Sequence, residues 1–220
     1  SRFERELLKA RSDAQRMSES LALANVNLEL LHAQLAQRAL EIERANLELA
    51  ALSQSDPLTG LGNRRALSAA IKRWQSHARA DANASLLLVD VDHFKTINDE
   101  FRHDEGDRVL VALAKGLQIS TPPGGLAVRY GGEEFALWLP AADRAAAEET
   151  AQTLHAQVRH VSVVSKSITV SVGIATGKNF FGPGLMHRLI AQSDKAVYLA
   201  KASGRNRTEH YERRNARRLS

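Results

Sequence analysis

Residues 126–139 read Leu-Ala-Val-Arg-Tyr-Gly-Gly-Glu-Glu-Phe-Ala-Leu-Trp-Leu. Two runs rich in apolar and aromatic residues flank a Gly-Gly pair, a pattern typical of two antiparallel strands joined by a tight turn. We expect strands at Leu126–Tyr130 and Glu133–Leu139, joined by a two-residue turn at Gly131-Gly132. Because that turn carries no side chains, a bulky ligand can approach its backbone. The second strand begins with two carboxylates.

A second acidic site follows another strand. Residues 85–92 read Ser-Leu-Leu-Leu-Val-Asp-Val-Asp, and such a continuous apolar run predicts a strand covered on both faces. If the hairpin lies beside this strand, Asp90 and Glu133 converge. Hard oxygen ligands from separate elements suit Mg²⁺, which also keeps waters and binds substrate phosphates. The alternative is structural: an Asp-x-Asp at a strand end often caps a turn or helix, and a Gly-Gly hairpin is often only a turn.

Basic residues and a helix start point to phosphate binding. His93, Phe94 and Lys95 open a predicted helix directly after the aspartates, and the free N–H groups at a helix N-terminus bind phosphate. Lys201 and Arg205 lie near the end of another predicted helix and can clamp outer phosphates. The alternative for that pair is ordinary capping of a helix C-terminus by cations. His93 is predicted to be structural, because no second histidine lies at metal-ligand spacing.

The remaining elements complete an α+β pattern. Asn63 is a helix cap for a helix from Arg64 to about residue 79. Further helices are predicted at 93–101, 104–119, 143–160 and 185–202, and further strands at 167–176 and 207–211. The order predicts a sheet of about five strands flanked by helices.

The first 53 residues predict one long helix, since they contain neither glycine nor proline. Apolar residues recur every seven positions, and a second series follows each by three, which is the a and d pattern of a coiled coil. Arg38 interrupts the second series. A helix of this length spans about 80 Å and needs a partner helix, most simply from a second copy of the chain. The two series are Leu7, Ala14, Leu21, Leu28, Leu35, Ile42 and Leu49, and Ala10, Met17, Ala24, Leu31, Arg38, Ala45 and Leu52.

Composition narrows the class of protein. The 220 residues are 44% hydrophobic and 25% charged, which excludes a disordered tail and a fibrous repeat. Cysteine is absent, so disulfides and cysteine-ligated zinc are excluded and a reducing, cytoplasmic location is expected. No apolar run reaches the ~20 residues of a membrane helix. The chain starts at Ser1, so we expect a fragment of a larger sensor, whose upstream or membrane segment is missing.

The net charge of +5 is concentrated at the C-terminus. Residues 205–220 contain six arginines and two glutamates. A basic end can contact nucleic acid or membrane. A solvated extension is the simpler interpretation, and we expect neither a nucleic-acid partner nor a membrane contact by this fragment.

Several ordered motifs together resemble the GGDEF family, the diguanylate cyclases, over about residues 53–210. Gly131-Gly132-Glu133-Glu134-Phe135 is similar to the family signature in its Glu-for-Asp form. The resemblance implies a stalk at 1–53, a cyclase domain at 54–211 and a basic extension at 212–220. The other matching segments are Asp56–Leu61 with Asn63-Arg64-Arg65, Asp90–Asp99, Asp104–Asp107, Ser171–Ala175 and Asp194–Asn206.

The resemblance implies a fold like the palm of nucleotidyl cyclases and polymerases. It implies a homodimer that joins two GTP molecules into cyclic di-GMP and releases two pyrophosphates, with one GTP per domain. Activity would be regulated through the stalk. Two Mg²⁺ ions per GTP site are implied, with Mn²⁺ as a substitute.

The resemblance also implies roles for individual residues. Asp90, Glu133 and the Val91 carbonyl would hold the metal ions, and Glu134 would assist the attacking 3′-hydroxyl. Asp92 has a weaker claim to the metal. Guanine would be bound by Asn98 and Asp107, and the β- and γ-phosphates by the backbone of His93, Phe94 and Lys95 with the side chains of Lys201 and Arg205.

Two departures from the family pattern matter. Pro122 and Gly125 stand where many members carry an inhibitory Arg-x-x-Asp motif, so we expect no product inhibition through that site. Arg102 stands where the family usually has glycine, and it either strains the backbone or adds a basic contact near the nucleotide. Two other functions stay open: a GTP or cyclic di-GMP receptor built on the same fold, and a scaffold whose function is the coiled coil.

Overall fold

The computed structural model describes residues 2–52, 54–79, 82–161, 167–178 and 184–212. The chain divides into two compact units after residue 53. The first unit is a single helix, α1, at Arg2–Leu52. The long helix predicted from the absence of glycine and proline is therefore confirmed.

The predicted seam of α1 is open to solvent within this chain. Its large apolar side chains between residues 15 and 45 are each at least half exposed. An apolar stripe of this length is stable in water only when another surface covers it. Pairing of two such helices stays a prediction. The exposed seam residues are Met17, Leu21, Leu28, Leu31, Leu35 and Ile42, whereas the side chains of Leu7, Ala10, Ala14, Leu49 and Leu52 lie outside the described residues.

The second unit is a mixed sheet with helices on both faces. The strand order is β1-β3-β4-β2-β5-β6, in which the four central strands are antiparallel and both edge strands pair in parallel. The strands are β1 Gly62–Asn63, β2 Asn83–Val91, β3 Leu126–Gly131, β4 Glu134–Pro140, β5 Val170–Lys178 and β6 Arg207–His210. The helices are α2 Arg64–His77, α3 Phe94–Phe101, α4 His103–Ser120, α5 Arg144–Val158 and α6 Leu185–Ala202.

The sheet has six strands where about five were predicted. The additional strand, β1, has only two residues, which is too short to give a periodic hydrophobic pattern. The other predicted boundaries differ from the observed ones by no more than three residues. The predicted cap is confirmed, since Asn63 Oδ1 accepts hydrogen bonds from the N–H groups of Arg65 and Ala66.

Strand β2 is buried on both faces at the centre of the sheet, as its apolar run predicted. Leu87 and Val89 pack into a core with α3, α4 and α5. Leu86 and Leu88 pack into a second core with α2 and α6. Because side chains alternate along a strand, Asp90 belongs to the α2–α6 face and Val91 to the opposite one.

The hairpin turn lies one residue later than predicted. Gly131 pairs with Glu134, and the register shifts between Arg129 and Gly131. The turn residues are therefore Gly132 and Glu133, and β4 begins at Glu134. A bulge inserts an extra residue that a simple count of alternating positions does not detect.

Helix α6 lies directly against the sheet at Gly173 of β5. A Cβ atom at this position would overlap the backbone of Ser193 and Val197. Ser193 Oγ also donates to the Leu86 carbonyl at 2.9 Å. This close approach fixes α6 over β2 and β5, and with it the position of Lys201.

No helix in the described ranges is both long and apolar enough to cross a membrane.

Candidate active site

Asp90, Glu133 and Glu134 lie on neighbouring segments where β2 ends beside the hairpin. Asp90 pairs directly across the strands with Glu134, and the Val91 N–H donates to the Glu133 carbonyl at 3.4 Å. Asp90 is 7% exposed, whereas the two glutamates are more accessible. The hairpin lies beside the Asp90 strand, as the sequence analysis required for these groups to converge.

Burial raises the pKa of two of these groups, and neighbouring carboxylates raise it further. Burial raises the pKa of Asp90 above its ordinary value, the hydrogen bond and charge of Lys201 oppose that rise, and the charges of Glu133 and Asp92 add to it. Partial desolvation raises the pKa of Glu134, and the charges of Asp90 and Asp194 raise it further. The ionised form of each of these carboxylates is therefore less favourable than it would be in water.

Lys201 is the cation in contact with this cluster. Its Nζ lies 2.8 Å from Asp90 Oδ2. The residue lies in the last turn of α6, which Gly173 holds against the sheet. A residue predicted to bind phosphate thus contacts a residue predicted to bind metal.

The carboxylates are suitable ligands for a divalent cation that is coordinated by the substrate as well. Among the described residues, no group of three or more His, Asp or Glu side chains is placed to hold a metal ion. A buried carboxylate with a raised pKa and two acidic neighbours is nevertheless the environment that an added cation stabilises. The missing ligands would be the Val91 carbonyl, waters and phosphate oxygens, which is the usual composition of magnesium sites.

Asp92 has a different environment from Asp90. It is 4% exposed and accepts hydrogen bonds from Ser171 Oγ at 2.6 Å, Thr169 Oγ1 at 2.7 Å and the Asn206 N–H at 3.0 Å. These three protein donors stabilise the carboxylate. The Asp-x-Asp motif thus contains two aspartates with separate surroundings.

The segment after β2 exposes a helix start. His93 has φ 57°, in the left-handed region, and its side chain caps no N–H of α3. His93 and Lys95 are exposed, whereas Phe94 is buried in the core. The first turn of α3 is therefore available for an anion, with Phe94 anchoring the helix below it.

The predicted guanine residues lie on the other face of the sheet from α6. Asn98 is on α3 and Asp107 is exposed on α4, and both helices pack against the core that contains Leu87 and Val89. Asn98 Oδ1 is buried without a hydrogen-bond partner in the structure. It points toward Gly106, where a Cβ would overlap it. A buried acceptor without a donor is unusual, and Asn98 Oδ1 is therefore a group that an added donor would stabilise.

Arg129 is a site residue that the sequence analysis missed. Its Nε and Nη2 donate to the Gly132 carbonyl at 3.0 and 2.8 Å, and its Nη1 donates to Asp56 Oδ1 at 3.3 Å. Asp56 also accepts hydrogen bonds from the Thr59 N–H and hydroxyl at 2.9 and 2.7 Å. Arg129 thus ties the signature turn to the turn that precedes β1. The only signal in the sequence was an arginine two residues before Gly131.

Arg205, a predicted phosphate ligand, follows α6 with φ 61°. The next residue, Asn206, donates its N–H to Asp92.

The loop at the expected inhibitory site is a tight turn. The Gly125 N–H donates to the Pro122 carbonyl at 2.9 Å. A Cβ at Gly125 would lie 2.8 Å from Thr121 Cγ2, so an aspartate there would require the Thr121 side chain to shift. The absence of product inhibition through this loop stays a prediction.

The sequence is similar to those of known proteins. The family model described as "Diguanylate cyclase, GGDEF domain" matches residues 53–207. Diguanylate cyclase DgcM of Escherichia coli K12 is 38% identical over 169 residues, which are 76% of this chain and 40% of DgcM. Diguanylate cyclase VdcA of Vibrio cholerae is 36% identical over 187 residues, which are 80% of this chain and 53% of VdcA. The chain therefore spans about half or less of these relatives.

Solved structures resemble the chain in fold as well. The coiled coil and GGDEF domain of DgcB from Caulobacter crescentus, in complex with c-di-GMP, has a TM-score of 0.65 and 30% identity, covering 82% of this chain and 98% of that one. The active GGEEF domain of a diguanylate cyclase from Vibrio cholerae has a TM-score of 0.61 and 31% identity, covering 69% and 98%.

Proposed function

The chain belongs to the GGDEF family of diguanylate cyclases, and from that membership we propose that it condenses two GTP molecules into cyclic di-GMP with release of two pyrophosphates. The observation that carries the proposal is the cross-strand pair of Asp90 and Glu134 beside Lys201. It joins the metal motif, the signature hairpin and a phosphate-binding cation in one place. Degenerate members would lose one of these groups.

The metal site proposed here uses Asp90, Glu133 and the Val91 carbonyl. When bound there, Mg²⁺ ions would neutralise charge on the α-phosphate and lower the pKa of the attacking 3′-hydroxyl. Lys201 would then exchange its contact with Asp90 for the β- or γ-phosphate. The ion pair at 2.8 Å supports this exchange, since Lys201 already reaches the carboxylate.

The substrate would extend across the end of β2. Guanine would lie on the α3–α4 face, where Asn98 Oδ1 is a buried acceptor without a partner and Asp107 is a second acceptor. The phosphates would lie at the start of α3, bound by the N–H groups of Phe94 and Lys95, and would continue toward Lys201 and Arg205. This path supports one GTP per domain.

Each domain would supply the 3′-hydroxyl that attacks the α-phosphate of the GTP on the other domain. Glu134 is accessible, and its raised pKa makes it a stronger base toward that hydroxyl. The bond from the α-phosphorus to the bridging oxygen breaks as the new 3′-O–P bond forms, and pyrophosphate leaves. A single domain holds only half of the reacting groups, so two copies must face each other.

The homodimer would form through α1. Its exposed apolar seam needs a second helix, and the related DgcB structure is described as a coiled coil with a GGDEF domain. Tethering two domains raises the local concentration of the second half-site. We infer that the register or separation of the paired helices regulates activity, and that GTP as substrate places the reaction in the cytoplasm.

Incubating the purified chain with GTP and Mg²⁺ tests the proposal. Chromatography and mass spectrometry should identify cyclic di-GMP and pyrophosphate from the wild type. Glu133→Gln should lower the rate by about a hundredfold or more, since one neutral ligand replaces a charged one at the metal.

Glu149→Gln is the matched control, because it makes the same chemical change at an exposed position of α5, and it should retain the wild-type rate. Binding of GTP by a stable dimer without any product would overturn the cyclase proposal in favour of a receptor. Equal loss in both variants would contradict the metal role of Glu133.

A further inference from the structure

The buried carboxylate of Asp92 joins three elements at the end of β2. Ser171 and Thr169, at the start of β5, donate to its two oxygens, and the Asn206 N–H donates to the same Oδ2 as Thr169. The Asp92 N–H also donates to the Thr169 carbonyl at 3.0 Å. One side chain therefore fixes the turn after α6 relative to β2 and β5.

That turn has an unfavourable backbone conformation. Arg205 and Asn206 have φ 61° and 46°, and the left-handed region is tolerated by asparagine but costs energy for arginine. The Arg205 N–H donates to the Ala200 carbonyl at 2.9 Å, which anchors the turn to α6. Consecutive left-handed residues persist only where surrounding contacts fix them. Here the contacts are the end of α6 on one side and Asp92 on the other.

We propose that Asp92 is a positioning residue for the triphosphate: by holding Asn206, it fixes the turn that carries Arg205 and the end of α6 that carries Lys201. This inference rests on the proposed function, in which those two cations bind the β- and γ-phosphates. The carboxylate of Asp92 has protein donors on both oxygens and acts through the turn instead of touching the substrate. The effect is therefore specific to ligands that have a triphosphate.

Binding of two nucleotides separates this role from a general structural one. The first is a GTP analogue with a methylene group in place of the oxygen between the α- and β-phosphorus atoms. It cannot react, because the reaction breaks the bond from the α-phosphorus to that oxygen. The second is GMP, which lacks the β- and γ-phosphates. Asp92→Ala should weaken binding of the analogue by about tenfold or more, the effect of a lost charge-assisted contact, and leave GMP affinity within about twofold.

Two further variants distinguish positioning from stability. Asp92→Asn keeps an acceptor for the Asn206 N–H and a donor toward the Ser171 hydroxyl, so it should restore most of the affinity for the analogue. Thr150→Val removes a buried hydrogen bond to the Ala146 carbonyl on α5, outside this network, and should lower the melting temperature while leaving both affinities unchanged.

Hydrogen exchange gives a readout that needs no variant. In the wild type, the Asn206 amide should exchange slowly, because it donates to a buried carboxylate, and the analogue but not GMP should slow it further. This measurement applies even if Asp92→Ala fails to fold.

The outcomes separate the two proposals. Equal weakening of the analogue and GMP in Asp92→Ala, or fast exchange at Asn206 that the analogue does not change, overturns the positioning role. If the wild type does not bind the analogue at all, the proposed function is wrong, and this inference, which rests on it, is wrong as well.

Discussion

Arg102, between α3 and α4, has φ 74° and ψ 164°. This region is essentially restricted to glycine, and other residues there cost about 1–3 kcal/mol. Of the two expectations for Arg102, the structure supports backbone strain: the position requires a positive φ, and arginine is strained in it.

Arg102→Gly should therefore stabilise the domain by about 1 kcal/mol, after allowing for the greater freedom of glycine in the unfolded chain. Thermal unfolding should show a rise of about 2–4 °C. Arg108→Gly is the matched control, because Arg108 lies inside α4 and the same change there should cost about 1 kcal/mol. A lower melting temperature for Arg102→Gly would contradict the strain. Weaker GTP binding by that variant would show that the guanidinium contacts the nucleotide.

The signature turn and the turn before β1 are joined by one ion pair. Burial alone would raise the pKa of Asp56, but the hydrogen bonds from Thr59 and the charge of Arg129 outweigh it and hold the pKa below 3.8. A carboxylate with a lowered pKa in the folded state contributes stability above its unfolded pKa. That stability is lost as the pH falls through the folded value.

Asp56→Asn should accordingly lower the free energy of unfolding by about 1–2 kcal/mol at neutral pH. The difference from wild type should stay constant above about pH 5 and shrink as the pH falls below 3.8. Denaturant unfolding at a series of pH values measures it. Asp104→Asn, at an exposed carboxylate in the first turn of α4, serves as the comparison. A difference that grows in acid would refute the role assigned to the Asp56–Arg129 pair.

The elements differ in how far local sequence predicted them. Helix α6 was predicted at its observed bounds because Gly204 ends its apolar pattern, and β2 was identified by an uninterrupted apolar run. Strand β1 was missed because two residues carry no period and its pairing with β3 is long-range. The hairpin turn was misplaced by one residue because a bulge is decided by strand pairing, which no local pattern records.

The same distinction applies to the site. Asp90 and Glu133 were chosen as candidates because buried strands that end in carboxylates are unusual, and their metal role stays a prediction. Arg129 and the network of Asp92 could not, because their partners are 73 and up to 114 positions away along the chain. Hydrogen bonds of that kind exist only once the sheet has formed.

At the scale of the whole molecule, the proposed function assigns different parts of one reaction to the stalk and the domain. Under that proposal one domain would present half of the reacting groups, while α1 has an apolar seam that is exposed in the single chain. A second copy would supply the other half-site and cover the seam, so loss of pairing should reduce turnover without altering the binding of GTP to a single domain. This separates a defect in the stalk from a defect in the site.

Leu28→Pro provides the sharpest test of that separation. Leu28 lies in the seam and is 52% exposed in the single chain. Proline inside a helix costs about 3 kcal/mol, and a dimer has two such helices. Sedimentation should show dimerisation weakened by at least about a hundredfold, since each 1.4 kcal/mol is a factor of ten. Cyclic di-GMP production should fall in parallel at low protein concentration and recover partly at high concentration, while binding of the inert GTP analogue is retained.

Glu29→Ala is the matched control, because it lies next to the seam and alanine is favourable in a helix. It should leave dimerisation, turnover and analogue binding unchanged. Wild-type dimerisation and turnover in Leu28→Pro would mean that the domains pair through another surface.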